Sequence, residues 1–151
     1  MNIKILGTLA AVALLAACAD PAPASAPVSS GPVPGSQEDL VANVGDRVFY
    51  DYDRSTLRSD GRTTLERQAA WLARWSQNNV QVAGNCDERG TQAYNIALGN
   101  RRANAARDFL VAKGVAAGRI TTISYGKDRP TALGSNDQAW SQNRNAITSV
   151  R

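Results

Sequence analysis

Leu65, Ala69, Leu72 and Trp75 recur at the three-to-four-residue spacing of one helix face, behind polar Ser59 and Asp60 that can cap a first turn. The pattern predicts a helix of about sixteen residues. Ahead of it, residues 47–50 read as a strand that runs into the turn-rich stretch 51–53. Behind it, Val80, Val82 and Gly84 alternate with polar Gln81, a second strand that delivers Asp87 at its carboxyl end. Thr91 is placed to cap a second helix, with Tyr94, Leu98, Ala105 and Phe109 as its expected apolar face and Gly114 as its stop. The β-branched run 120–125 predicts a third strand, 126–136 a loop, 137–145 a short helix leaving part of Trp140 exposed, and 146–150 a last strand. Strands alternating with helices in this order predict an α/β fold, an α+β two-layer sandwich with helices on one sheet face.

Upstream of residue 37 the periodicity disappears. Lys4 precedes an apolar run over 5–17, short for a bilayer span but suited to the hydrophobic region of a secretory signal. The run ends Leu15-Ala16-Ala17-Cys18, which resembles the bacterial lipobox. That resemblance implies removal of residues 1–17 and acylation of Cys18, several chains together anchoring where one would not hold. Ala19 in place of an aspartate argues, by analogy with enterobacterial lipoproteins, for sorting to the outer membrane. Pro21, Pro23, Pro27, Pro32 and Pro34 are five of the six prolines, and with Ala, Ser and Gly they make 18–36 a tether rather than a fold. At about 3.1 Å per residue it reaches roughly 55 Å when taut. The folded domain is expected to occupy 37–151.

At 151 residues the chain has room for one modest core. Its 17 basic and 13 acidic residues are scattered, and among the basic ones only Arg101 and Arg102 are adjacent, so no polybasic stripe for nucleic acid exists. The absence of histidine removes the commonest general base and metal ligand, and neither a metal nor a cofactor is expected. With Cys18 committed to lipid, Cys86 has no partner for a disulfide and reads as a small buried or half-buried thiol.

The candidate chemistry lies in GNCDERGTQAYNIALGNRRA, residues 84–103. Asp87 stands where a strand ends and a helix is about to begin, so backbone amides and the helix dipole favour its ionised form. Taken alone, it reads as a turn cap, and Arg102 as a solvated charge. Together they say more: a guanidinium grips a carboxylate by two parallel bonds, and a carboxylate accepts an ammonium, which suits a zwitterionic amino-acid end. Asp87, ten residues, Leu98-Gly99, two residues and Arg102-Ala103 resemble the signature of OmpA-like peptidoglycan-binding domains. Further similar segments are VFYDYD, RRANAARDFL, ISYGKDRP and NRNA, over roughly residues 43–151.

The resemblance implies a βαβαβ(α)β domain with a mixed four-stranded sheet. It implies Asp87 on the amine of diaminopimelate in the peptidoglycan stem peptide and Arg102 on its carboxylate. It carries over Tyr50 as pocket wall and Asp51 as a second acidic contact. Arg89 either contacts ligand or closes a salt bridge to Asp51. It further implies an outer-membrane lipoprotein without catalytic activity that holds peptidoglycan. Its partner would be a TolB-like periplasmic β-propeller protein of the Tol system, with a role in envelope integrity and cell division. The family usually carries histidine where this chain has Asn85, expected to retune the loop, and arginine where it has Asn145, expected to weaken a partner surface. Two other readings compete: a lipoprotein whose pocket takes only a protein partner, and a cell-wall hydrolase using Asp87 with Glu88 or Asp51. The second lacks histidine, a metal set and a nucleophile–base pair.

Overall fold

The computed structural model describes residues 31–151. The leader, Cys18 and the tether up to residue 30 lie outside the described residues. Four strands form one mixed sheet in the order β1-β4-β2-β3. They are β1 (Arg47–Phe49), β2 (Val80–Asn85), β3 (Ile120–Gly126) and β4 (Asn145–Val150). β2 and β3 are parallel, while β4 runs antiparallel to both β1 and β2. The last strand in sequence is thus central in space. The crossover from β2 to β3 is the helix α3 (Gln92–Ala112), and α2 (Ser59–Arg74) links β1 to β2.

Register places Val48, Ala146 and Gly84 in one row across the sheet, Thr148 beside Val82 in the next, and Val150, Val80 and Ile120 in a third. Leu65, Ala69 and Leu72 of α2 and Ala103, Ala106 and Leu110 of α3 meet these rows to form the core. One polar pair is sealed inside it. Gln68 donates from Nε2 to the Gly45 carbonyl at 2.7 Å and accepts from Thr148 Oγ1 at 2.8 Å, so its burial leaves neither end unsatisfied.

Three boundaries differ from the sequence expectation. The N-cap of α2 is Arg58, with no side-chain cap; Ser59 and Asp60 lie inside the first turn, where Asp60 Oδ1 accepts from the Gly61 amide at 2.9 Å. The short helix α4 (Asp137–Asn143) stops two positions early, because β4 already starts at Asn145. The ordered chain begins before residue 37. A short helix, α1 (Gln37–Asp39), runs into a π-helical turn over Leu40–Val44, and Gly35 lies 2.8 Å from the Trp75 ring by the Cβ it lacks. Asp39 Oδ2 accepts from both the Gly35 amide and Trp71 Nε1, and Asn78 Nδ2 donates to the Gly35 carbonyl, fastening this strap to α2.

The face of α3 also differs. Tyr94 is exposed, and the buried set is Asn95, Leu98, Gly99, Arg102, Ala103, Ala106 and Leu110. A Cβ on Gly84 would fall inside the Gly99 carbonyl, and one on Gly99 would fall inside Ser124 Oγ. Backbone contact with the sheet therefore selects the small-residue face of the helix over its larger side chains. The helix ends as expected at Gly114, whose φ of +99° is free of strain only for glycine. The Val115 amide reaches back to the Leu110 carbonyl and the Gly114 amide to that of Val111, a Schellman cap with Val115 and Leu110 both buried.

The strap sits by the start of β2, where Gln37 Oε1 accepts from the Val150 amide. Asp87 lies past its other end, roughly 17 Å away along six strand residues. Chain entry and candidate site thus occupy opposite ends of the sheet. Gly99→Ala is expected to destabilise the domain by about 3 kcal/mol and to lower the melting temperature by roughly 10 °C or more, measured by circular dichroism.

Candidate binding site

The strand β2 delivers Asn85, Cys86 and Asp87 to the mouth of α3, whose N-cap Thr91 accepts from the Tyr94 amide at 3.2 Å as expected. Beside this turn lies a pocket lined by Tyr52, Asp87, Arg89, Tyr94, Leu98 and Arg102 among others, about 330 Å³ when counted to its open mouth. The two residues that sequence reasoning paired, Asp87 and Arg102, therefore do share one cavity.

Each is already heavily engaged. Asp87 Oδ1 accepts from the amide and Nε of Arg89, both at 3.1 Å, while Oδ2 accepts from Arg89 Nη2 at 2.8 Å and Arg144 Nη1 at 3.4 Å. Four donors fill the roughly four lone-pair positions of a carboxylate. Burial alone would push its pKa up, but the bonds from Arg89, then that from Arg144, outweigh burial and hold Asp87 below the usual aspartate range. Arg102 is 1% exposed. Its Nε donates to the Arg54 carbonyl at 2.8 Å, Nη1 to that of Asn85 at 2.9 Å and Nη2 to that of Asp51 at 3.2 Å. No carboxylate lies within ion-pair distance of it among the described residues. Burial lowers its pKa, yet a guanidinium remains charged at neutral pH.

Tyr50 and Asp51 occupy other places than the resemblance implied. Tyr50 is fully buried beneath the site, its hydroxyl donating to the Arg102 carbonyl at 2.8 Å and its ring 5.3 Å from the Arg102 guanidinium. Burial raises its pKa, so it stays a neutral donor. Asp51 offers the site its carbonyl, while its exposed carboxylate pairs with Arg58 at 3.6 Å. The turn after β1 presents the Asp51 and Arg54 carbonyls to Arg102, and their dipoles solvate its charge. Arg89 therefore bridges to Asp87 and leaves Asp51 to Arg58.

Sequence reasoning passed over Tyr52, Tyr94, Trp140 and Arg144. The Arg89 guanidinium lies 4.1 Å from the ring centroids of both Tyr52 and Trp140. Tyr94 holds Asp53 by its hydroxyl, and Arg144 Nε also donates to the Tyr50 carbonyl at 3.0 Å. Arg144 belongs to the NRNA segment, which was the available signal. Cys86 is buried, its thiol pushed up by burial and donating weakly to the Asn95 carbonyl at 3.4 Å, in line with an unreactive cysteine.

A profile of the OmpA family matches residues 49–144. The chain belongs to the OmpA family. It is 56% identical over 117 residues to the peptidoglycan-associated lipoprotein of Mesorhizobium japonicum, covering 78% of this chain and 70% of that one. To the protein of the same description from Pasteurella multocida it is 40% identical over 146 residues, covering 95% of each. The crystal structure of the peptidoglycan-associated lipoprotein from Burkholderia pseudomallei superposes with a TM-score of 0.68 at 36% identity, over 70% of this chain and 90% of that one. The OmpA-like mixed sheet and the resemblance read from the signature are both shown by these matches.

The two departures from the family pattern prove to be one feature. Asn85 Nδ2 donates to Asn145 Oδ1 at 2.8 Å, and both residues are buried. Asn145, fully buried, cannot form part of a partner surface; it ties β4 to the 131–142 segment by donating to Thr131 Oγ1 and the Gln142 carbonyl. Position 145 is interior because β4 is central, which no linear pattern reveals.

Because Asp87 has its pKa lowered on folding, its ion pairs add stability above the unfolded-state pKa of about 3.9 and lose it as pH falls through the lower folded value. Denaturant melts from pH 7 to 2 are expected to stay flat down to about pH 4 and then fall. Asp87→Asn should be less stable at pH 7 and show a shallower acid loss.

Proposed function

We propose that this chain is an outer-membrane lipoprotein that binds the diaminopimelate end of the peptidoglycan stem peptide, without covalent bond or catalysis. The observation that carries this is Arg102, a buried guanidinium with three carbonyl partners and no counter-ion among the described residues. Buried charges are normally paired, and three of its five N–H groups are used, which leaves two for a ligand carboxylate. The ligand ammonium would approach Asp87 Oδ2 in place of the long Arg144 contact. Relatives described as peptidoglycan-associated lipoproteins support the same reading.

The lipobox at Cys18 and the proline-rich tether supply the membrane end of the link, so that the outer membrane is tied to the cell wall. On the family likeness, the expected partner on the same face is a TolB-like periplasmic protein, within the Tol system and envelope constriction at division. A hydrolase reading is disfavoured because the bonds from Arg89 and Arg144 hold Asp87 below the usual aspartate range, which makes it a poor base at neutral pH.

Diaminopimelate-type sacculi are expected to co-sediment the chain and to release no soluble muropeptides. Free meso-diaminopimelate should compete, and lysine, which lacks the second carboxylate, should not. Arg102→Lys, which keeps the charge and loses the planar fork, should weaken sacculus binding about tenfold or more. Binding equal to wild type in both Arg102→Lys and Asp87→Asn would place the site elsewhere.

A further inference from the structure

Arg89 is the accessible cation of this pocket, and its setting differs from that of every other arginine in the domain. Two aromatic rings, those of Tyr52 and Trp140, each have their centroid 4.1 Å from its guanidinium carbon, within cation–π range. Its Nε and Nη2 lie edge-on to Asp87 as a two-bond fork. Trp140 is itself fixed, its Nε1 donating to Glu88 Oε1 at 2.9 Å. The group is thus locked in plane and in rotation.

The terminal edge of the guanidinium has its Nη1 side unused. Nη1 makes no hydrogen bond and no ion pair among the described residues, and Asp137 in the first turn of α4 forms none with it. The side chain is 33% exposed and lines the pocket, so this edge can be reached from the cavity. A cation held against two aromatic rings, with one edge neutralised by a buried carboxylate, keeps one polar direction for a ligand, the terminal edge formed by Nη1 and the second N–H of Nη2. A planar anion, a carboxylate, is what that direction accepts with two parallel bonds. No rotamer freedom is left to lose when it binds.

We propose that Arg89, held against Tyr52 and Trp140, is a specificity-determining residue that binds a second ligand carboxylate, distinct from the one assigned to Arg102. The assignment rests on the pocket reading above. In a stem peptide the group of this chemistry is the free α-carboxylate of the isoglutamyl residue that precedes diaminopimelate. Asp87 and the two rings are then positioning groups for Arg89. Amidation of that carboxylate removes the charge and one acceptor oxygen, so the pocket would tell free-acid peptides from amidated ones.

The test is titration calorimetry of the full chain with two soluble muropeptides that differ only in that carboxylate, free or amidated. Wild type is expected to bind the free acid about tenfold more tightly. Arg89→Lys keeps the charge without the fork, and Tyr52→Leu removes one ring while leaving every charge in place; in both, the preference should fall below about threefold. Binding of both peptides by wild type within twofold overturns the assignment and leaves the pocket standing. An undiminished preference in Arg89→Lys and Tyr52→Leu overturns it equally. Failure of wild type to bind either peptide overturns the pocket reading, and this assignment with it.

Discussion

The guanidinium of Arg102 joins three stretches of chain at the rim of the sheet. Its bonds to the carbonyls of Asp51, Arg54 and Asn85 draw the turn after β1 and the end of β2 onto α3, with Tyr50 beneath returning a bond to the Arg102 carbonyl. Carbonyl dipoles solvate the charge in place of water, a partial substitute for a counter-ion. The pocket wall is what this arrangement leaves around an arginine that has given up its hydration. A structural role and a binding role here are two aspects of one buried charge.

A second constraint works with it. Gly84 and Gly99 let β2 and α3 touch backbone to backbone, and that contact fixes how the helix is rotated. Rotation in turn decides that Arg102 points inward and Tyr94 outward. One added methyl at either glycine would collide with the facing segment and press helix and sheet apart. Geometry at the site is therefore set by core packing some distance from the charges themselves.

Electrostatics at the turn follow a chain of custody. Arg144, arriving from the α4–β4 junction, and Arg89, from the turn itself, converge on one carboxylate of low exposure. Asp87 thus serves as the counter-ion that allows two cations to stand beside Arg102 without mutual expulsion. Nearby, Asn85 and Asn145 join β2 and β4 through an uncharged bond, leaving the Asn85 Oδ1 acceptor without a protein partner among the described residues. A neutral pair at this depth avoids the desolvation cost of further charge.

Most elements were legible because each is dictated locally. Alternation around Val80 and Val82, the helical spacing of Leu65, Ala69 and Leu72, Thr91 as cap and Gly114 as stop all act within a few residues of themselves. The signature from Asp87 to Arg102 could likewise be read, because strand, turn and helix fix that spacing along one continuous segment. What remained hidden depends on segments far apart in sequence: β4 inserting between β1 and β2, the rotation of α3 chosen by Gly84, Trp140 reaching Arg89, and Asn145 meeting Asn85. Local chemistry names the charged residues of this protein. Only tertiary packing decides which of those charges are spent on one another and which still face the pocket, because each partner is supplied by a chain segment that sequence order keeps apart.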